Sequence, residues 1–277
     1  MKLARCAHGG GVWWGTVVDD EVRLLASADS LPIGSWSLAS LEALSRAPAA
    51  VVGLDAVQLL NPVPAPSKVI CVGLNYRDHA EESGMAIPEK PLIFAKFPSS
   101  LIGPGASVVL PDDSSNVDWE VELAVVISRP ARHVPEGRAL DVIAGYTVAN
   151  DVSARDLQVS DGQFVRAKSY DTFCPVGPWL VTVDELGAAD DLGIGLRLNG
   201  ETLQHSRTSQ LVFDIADIVT FCSAVATLNP GDLILTGTPH GTGFGLDPRR
   251  YLSPGDEMTA WVEGIGELTN PVVAAGA

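Results

Sequence analysis

Two carboxylates sit inside an apolar run, Asp118-Trp119-Glu120-Val121-Glu122-Leu123-Ala124-Val125-Val126-Ile127. The second half is β-branched, aliphatic and of strand length, which predicts a buried strand. Side chains alternate across a strand, so Glu120 and Glu122 share a face and stand roughly 6 to 7 Å apart. Trp119, Val121, Leu123 and Val125 take the other face. Ala124 and Val126 make even the carboxylate face apolar, so two anions are carried toward a core. Burying both unpaired is strongly unfavourable. A hard cation with oxygen ligands, such as Mg²⁺, is the simplest way for both to stay ionised. The alternative is a strand that begins at the surface with both glutamates hydrated.

The length, 277 residues, allows one large domain or one large and one small. Plentiful Val, Gly and Pro with few aromatics favour many short strands joined by tight turns. With 18 basic against 34 acidic residues, a formal charge of −16 argues against a nucleic-acid or anionic-membrane partner. The same charge repels an acidic substrate at long range, so a site for one must supply its own positive potential, from a metal or a few placed Lys and Arg. Cys6, Cys71, Cys174 and Cys222 are widely spaced, without a zinc pattern, and read as free thiols in a reducing cytoplasm. No window reaches roughly 18 apolar residues, so neither a signal peptide nor an anchor is expected.

Residues 1–60 read as a small N-terminal module: a hairpin from Val12–Val18 and Glu21–Leu25, then a helix over Leu38–Arg46 capped by Ser37 and ended before Pro48. None of them suggests chemistry. Residues 61–66, with prolines at alternate positions, form a stiff connector, and 67–277 form the main domain. There Lys68–Gly73 predicts a buried strand, and Asn75–Gly84 has a helical composition with an Asn start and a Gly stop. On such a helix His79 and Glu82, at i and i+3, face the same way. A glutamate beside an imidazole fixes its tautomer and raises its basicity, the arrangement of a general base. A hydrated helix end with an incidental His is the alternative.

Leu92–Phe97 predicts a strand whose Lys96 is either a surface residue or a ligand contact. Val142–Ala149 predicts another, ending on Asn150-Asp151. Asp151 precedes the helix-like Val152–Gln158, which makes it an N-cap candidate. Asp151, Arg155 and Gln158 also fall at i, i+4 and i+7, so a carboxylate, a cation and an amide would project together. Residues 161–167 read as a loop, and Lys168 opens a Pro/Gly-punctuated segment where either a structural ion pair or a substrate contact fits. Asp214–Ala226 predicts the one strong helix of the C-terminal half, and Asn199-Gly200 a hairpin turn. The glycine loop Gly237–Gly245 lacks the lysine and hydroxyl of a phosphate loop. It reads as a plain turn, or as a rim whose N–H groups and Thr238 meet a carboxylate.

Val72–Tyr76 with His79 and Glu82, Glu120–Leu123, Asn150–Gln158, Lys168–Thr172, and Gly231-Asp232 through Thr236–Pro239 together resemble, in order, the fumarylacetoacetate hydrolase family. The resemblance implies a mainly β (α+β) fold, a mixed β-sandwich roll with a small N-terminal domain, usually a homodimer. It implies Mg²⁺ or Mn²⁺ held by Glu120, Glu122 and Asp151. His79 and Glu82 would be the catalytic pair with Lys168, while Arg155, Gln158 and Thr238 would contact a small 2-keto acid. The expected activity is a metal-dependent hydrolase cleaving a C–C bond of an acylpyruvate or other 2,4-diketo acid through a stabilised enolate. Oxaloacetate decarboxylase and isomerase of a 2-hydroxy-diene-dioate are the alternatives, since all three chemistries share that enolate.

Overall fold

The computed structural model describes residues 1–276. Its centre is the strand Val121–Ile127, every residue of which is buried. The alternation expected of a strand divides its side chains between two cores. Val121, Leu123, Val125 and Ile127 enter one, shared with Ile194, Leu196, Met258 and Leu268. Ala124 and Val126 enter another with Leu3, Trp14, Val69, Cys71 and Leu233. Strands of two sheets therefore stack over the same central element.

The larger sheet has twelve strands. Its main path runs Ala50–Gly53, Glu21–Ser27, Gly11–Val18, Lys2–His8, Cys174–Thr182, Ile143–Asn150, Val121–Ile127, Leu233–Leu235, Val69–Gly73 and Leu92–Lys96. Most neighbours are antiparallel, but Leu233–Leu235 and Val69–Gly73 run parallel, so the sheet is mixed. The second sheet orders Glu201–Arg207, Gly193–Leu198, Glu257–Val262, Gly266–Ala274 and Val108–Leu110. The fold is thus mainly β and mixed, as expected. The leading residues join the large sheet directly, through Lys2↔Val181 and Leu3↔Leu180.

Several local readings hold. The hairpin pairs Trp13–Val18 with Glu21–Ser27, and Leu38–Arg46 is a helix whose Ser37 cap makes a full capping box with Ser40. Asn199-Gly200 turns with both residues at positive φ, as a tight two-residue hairpin requires. Asp214 caps the helix Ile215–Val225.

One strand went unread and four readings need correction. Lys2–His8 is a strand that short alternation and an early glycine run hid. The Asp118–Ile127 run is interrupted, with Val117–Asp118 pairing elsewhere. The helix after Gly73 begins at Arg77, because the Asn75 side chain instead bridges Phe213 and Thr236 backbone groups. Finally, Asp151 caps nothing. The helix there is Arg155–Asp161, so Asp151, Arg155 and Gln158 do not all share a helix face, and residues 165–167, expected to be part of a loop, instead form a short helix, Val165–Lys168, that ends on Lys168.

Candidate functional site

Antiparallel pairing brings the acids together. Val121 pairs with Asn150, and the Asp151 N–H donates to the Glu120 carbonyl at 2.8 Å. Two segments thirty residues apart in sequence therefore end side by side. On the other flank Leu233–Leu235 delivers the glycine loop, whose Gly237 N–H donates to Glu122 Oε2 at 2.6 Å. Its parallel neighbour Val69–Gly73 leads into the Arg77–Ser83 helix.

Glu120, Glu122 and Asp151 are all buried, and one oxygen from each lies within 4.8 Å of the others. Lys168 Nζ sits 2.7 Å from both Glu120 Oε2 and Asp151 Oδ2. Lys96, also buried, donates to Asp151 Oδ1 at 2.6 Å, so it is not a surface lysine. Arg155 Nε donates to Asp118 Oδ2 at 2.8 Å, its Nη2 lies 2.6 Å from Glu120 Oε1, and its Nη1 donates to Gln158 Oε1 at 3.0 Å. Arg155 and Gln158 thus do share a face of their helix, at i and i+3, and Arg155 also reaches across to Glu120.

The charges of this cluster do not balance. Four buried carboxylates, on Asp118, Glu120, Glu122 and Asp151, face three buried cations, on Lys96, Arg155 and Lys168. Burial works against the Glu120 charge, but Arg155 and Lys168 outweigh it and hold that carboxyl down at about 2. Burial likewise opposes the Lys168 ammonium, yet Asp151 and Glu120 raise its pKa above the usual lysine range. Burial outweighs Arg155 at Asp118 and raises that carboxyl, but Glu122 is the extreme case. Burial first, then Asp151 and Glu120, push its carboxyl well above the usual range, and among the described residues no cation lies within ion-pair reach of it. An all-oxygen set with one uncompensated carboxylate is what a hard divalent ion such as Mg²⁺ or Mn²⁺ suits, so the residues fit the ion that the family resemblance implies.

Glu120, Glu122, Arg155 and Lys168 of this cluster floor a cavity of about 360 Å³. His79, Arg155, Gln158, Lys168 and Thr238 line it with Glu120 and Glu122. Glu82 lies behind His79, its Oε2 3.1 Å from His79 Nδ1, and its Oε1 accepts the Gly241 N–H at 2.8 Å. Partial burial opposes the Glu82 charge, but these hydrogen bonds from His79 and Gly241 hold its carboxyl below the usual range. His79 therefore presents its other ring edge to the cavity from a fixed tautomer. Thr238 Oγ1 accepts from Gln204 Nε2 at 2.9 Å.

The glycine loop spends its N–H groups on the chain's own acids. Besides Glu122 and Glu82, Asp118 takes the Gly243 and Phe244 amides at 2.7 and 3.0 Å. Gly241 has φ +90°, and a Cβ there would stand 2.0 Å from the Leu203 carbonyl, so this turn requires glycine. Sequence reasoning missed Asp118, Gln204, which sits in the otherwise polar strand Glu201–Arg207 and so gives no signal of burial, and the cavity's aromatic wall. Phe94 packs edge-on against Phe164 at 5.3 Å, Lys168 Nζ stands 5.1 Å from the Phe94 ring, and Phe244 lies beside Arg155.

The family model for the fumarylacetoacetate (FAA) hydrolase C-terminal domain matches residues 68–273. Among curated proteins, the chain is 48% identical over 218 residues to the rat oxaloacetate tautomerase Fahd2a, mitochondrial, covering 78% of this chain and 70% of that protein. It is 51% identical over 222 residues to protein Rv2993c of Mycobacterium tuberculosis, covering 79% and 80%. Among solved structures it resembles the 2-hydroxyhepta-2,4-diene-1,7-dioate isomerase of Mycobacterium marinum, with TM-score 0.83 and 42% identity over all of both chains. The ordered motifs, the mixed β fold and these matches agree: the chain belongs to the fumarylacetoacetate hydrolase family.

Proposed function

We propose that this chain is a divalent-metal-assisted tautomerase or isomerase that moves a proton between C3 and the 2-oxo oxygen of a small 2-oxo acid. One observation carries the reading: His79, backed by Glu82, and the Lys168 ammonium border one cavity with Glu120 and Glu122, beneath which Asp151 lies buried on Lys168. The names of the similar proteins, a tautomerase and an isomerase, support it. In this reading Glu120, Glu122 and Asp151 hold Mg²⁺ or Mn²⁺. Once bound, the ion supplies positive charge and Lewis acidity beside the carboxylate and 2-oxo groups.

The chain's own residues do the rest. His79 takes the proton from C3 while Glu82 stabilises the imidazolium that results. The electron pair of the broken C–H bond becomes the C2–C3 double bond and the carbonyl π pair moves onto the 2-oxo oxygen, whose developing charge faces Lys168. Return of the proton to that oxygen gives the enol, with no atom gained or lost. Arg155, Gln158 and Thr238 orient the acid. We further propose a homodimer, as the family resemblance implies, and a cytoplasmic location, as the reduced cysteines suggest.

Hydrolysis of an acylpyruvate and decarboxylation of oxaloacetate begin from the same charge distribution and separate by product. Oxaloacetate and acetylpyruvate, each incubated with the protein and Mg²⁺ in D₂O and followed by NMR, distinguish them. The proposal expects deuterium at C3 and keto–enol interconversion above the protein-free rate. Pyruvate with CO₂ as the main product would make the chain a decarboxylase, and pyruvate with acetate a hydrolase. A rate equal to the protein-free control for both substrates would remove all three.

A further inference from the structure

The cavity beyond the charged floor is mostly hydrocarbon, with the hydroxyls of Ser83 and Thr242 among its few polar groups. Phe94 stands against Lys168, Phe164 packs edge-on behind it, and Phe244 lies beside Arg155. Leu74, Met85 and Leu92 continue this lining. The only Lys and Arg side chains in the lining are Lys168 and Arg155. Both are committed to the inner acids, Lys168 to Glu120 and Asp151, Arg155 to Asp118 and Glu120. His79 is paired with Glu82. The 2-oxo acid head group can meet these cations, but a second carboxylate farther along the molecule would face aromatic rings. A charge buried there without a partner is costly, whereas an alkyl or aryl group gains from leaving water.

We infer that this site selects 2-oxo acids whose substituent beyond C3 is apolar, an alkyl chain or an aromatic ring, over 2-oxo dicarboxylates. The inference rests on the proposed 2-oxo acid chemistry and assigns what that chemistry leaves open. It runs against the diacid substrates in the names of the tautomerase and the isomerase similar to this chain. One cation sets the competing case: exposed Arg249 stacks 4.1 Å from the Phe244 ring centroid, and among the described residues it has no acidic partner.

The test uses the full chain with saturating Mn²⁺ and a series matched at the head group: 2-oxobutanoate, 2-oxohexanoate, 4-phenyl-2-oxobutanoate, 2-oxoglutarate and oxaloacetate. C3 deuterium exchange gives kcat/KM, and calorimetry gives Kd. Each added CH₂ should improve both by about fourfold, and the diacids should fall on the order of a hundredfold below 2-oxohexanoate. Phe164→Ala should flatten the gain from chain length. A flat or falling series, or diacids that bind most tightly and lose that advantage in Arg249→Ala, would overturn the inference in favour of distal carboxylate recognition. If none of the acids exchanges while affinity still climbs with chain length, the selectivity stands and the proton-transfer reading falls. Exchange without any rise in affinity does the reverse.

Discussion

At the scale of single residues the site is a problem in placing like charges. Glu120 survives as an anion because Arg155 and Lys168 flank it, whereas Glu122 has a backbone N–H and no cation. This difference makes separate predictions for the two kinds of side chain. His79→Gln should lower turnover about 10²- to 10⁴-fold while divalent-ion affinity by calorimetry stays within a few-fold; unchanged turnover would remove His79 as the base. Lys96→Met leaves one oxygen of buried Asp151 without its partner. A buried charge stripped of one partner costs about 3 to 5 kcal/mol, so urea denaturation of the apo chain should show a loss of that order, lessened because Lys168 still holds the other oxygen. The carboxylate pair was legible in the sequence because Glu-x-Glu in an aliphatic strand has few ways to be satisfied. The buried role of Lys96 was not, since a lysine near a strand end reads equally well as exposed. Nor was Asp118, whose partners lie 37 and 125 residues away.

At the scale of elements, strand pairing and turn chemistry converge the groups. Short-range signals sufficed where a cap or turn decides the outcome, as at Ser37, Asp214 and Asn199-Gly200. They failed at Asp151, where a favourable capping residue is recruited by Lys96 and Lys168 and the helix starts four residues later. Tertiary ion pairing overrides a cap there, as it does for the glycine loop, whose amides answer to Asp118, Glu82 and Glu122 rather than to a ligand. That loop predicts its own sensitivity. Gly241→Ala must clear a backbone carbonyl that does not move easily, so a lowered melting temperature and weakened ion binding should appear together; a variant with wild-type values for both would contradict the loop's role. The Ile215–Val225 helix carries a pH test. Burial pushes the Cys222 thiol up to about 12 from an ordinary 9.0. The folded chain therefore keeps this proton while the unfolded chain loses it, and stability contributed below pH 9 drains as pH rises toward 12, at about 1.4 kcal/mol per pH unit. Cys222→Ala should melt with a shallower alkaline slope than wild type, and parallel slopes would contradict the assignment.

At the scale of the whole molecule, a chain of net charge −16 concentrates its buried cations where the acids are densest and still leaves one carboxylate uncompensated. Family, fold and the convergence of the ordered motifs were readable from sequence because all but the Lys168–Thr172 motif sit at strand ends, where local pattern and global topology agree. The apolar wall was not, since phenylalanines distant in sequence look like ordinary core until the cavity is drawn. Ion binding should stabilise the entire fold, by about 2.7 kcal/mol at a hundred times the dissociation constant, an increment that thermal melting with Mg²⁺ and then chelator will reveal or refute. The most direct measurement is calorimetric titration of Mn²⁺ into the metal-stripped chain and into Glu122→Gln, with folding checked by circular dichroism. The account predicts one ion per wild-type chain and none, or affinity weakened at least a hundredfold, in a folded Glu122→Gln. Wild-type chain that takes up no ion, or a variant that binds as tightly, would contradict it.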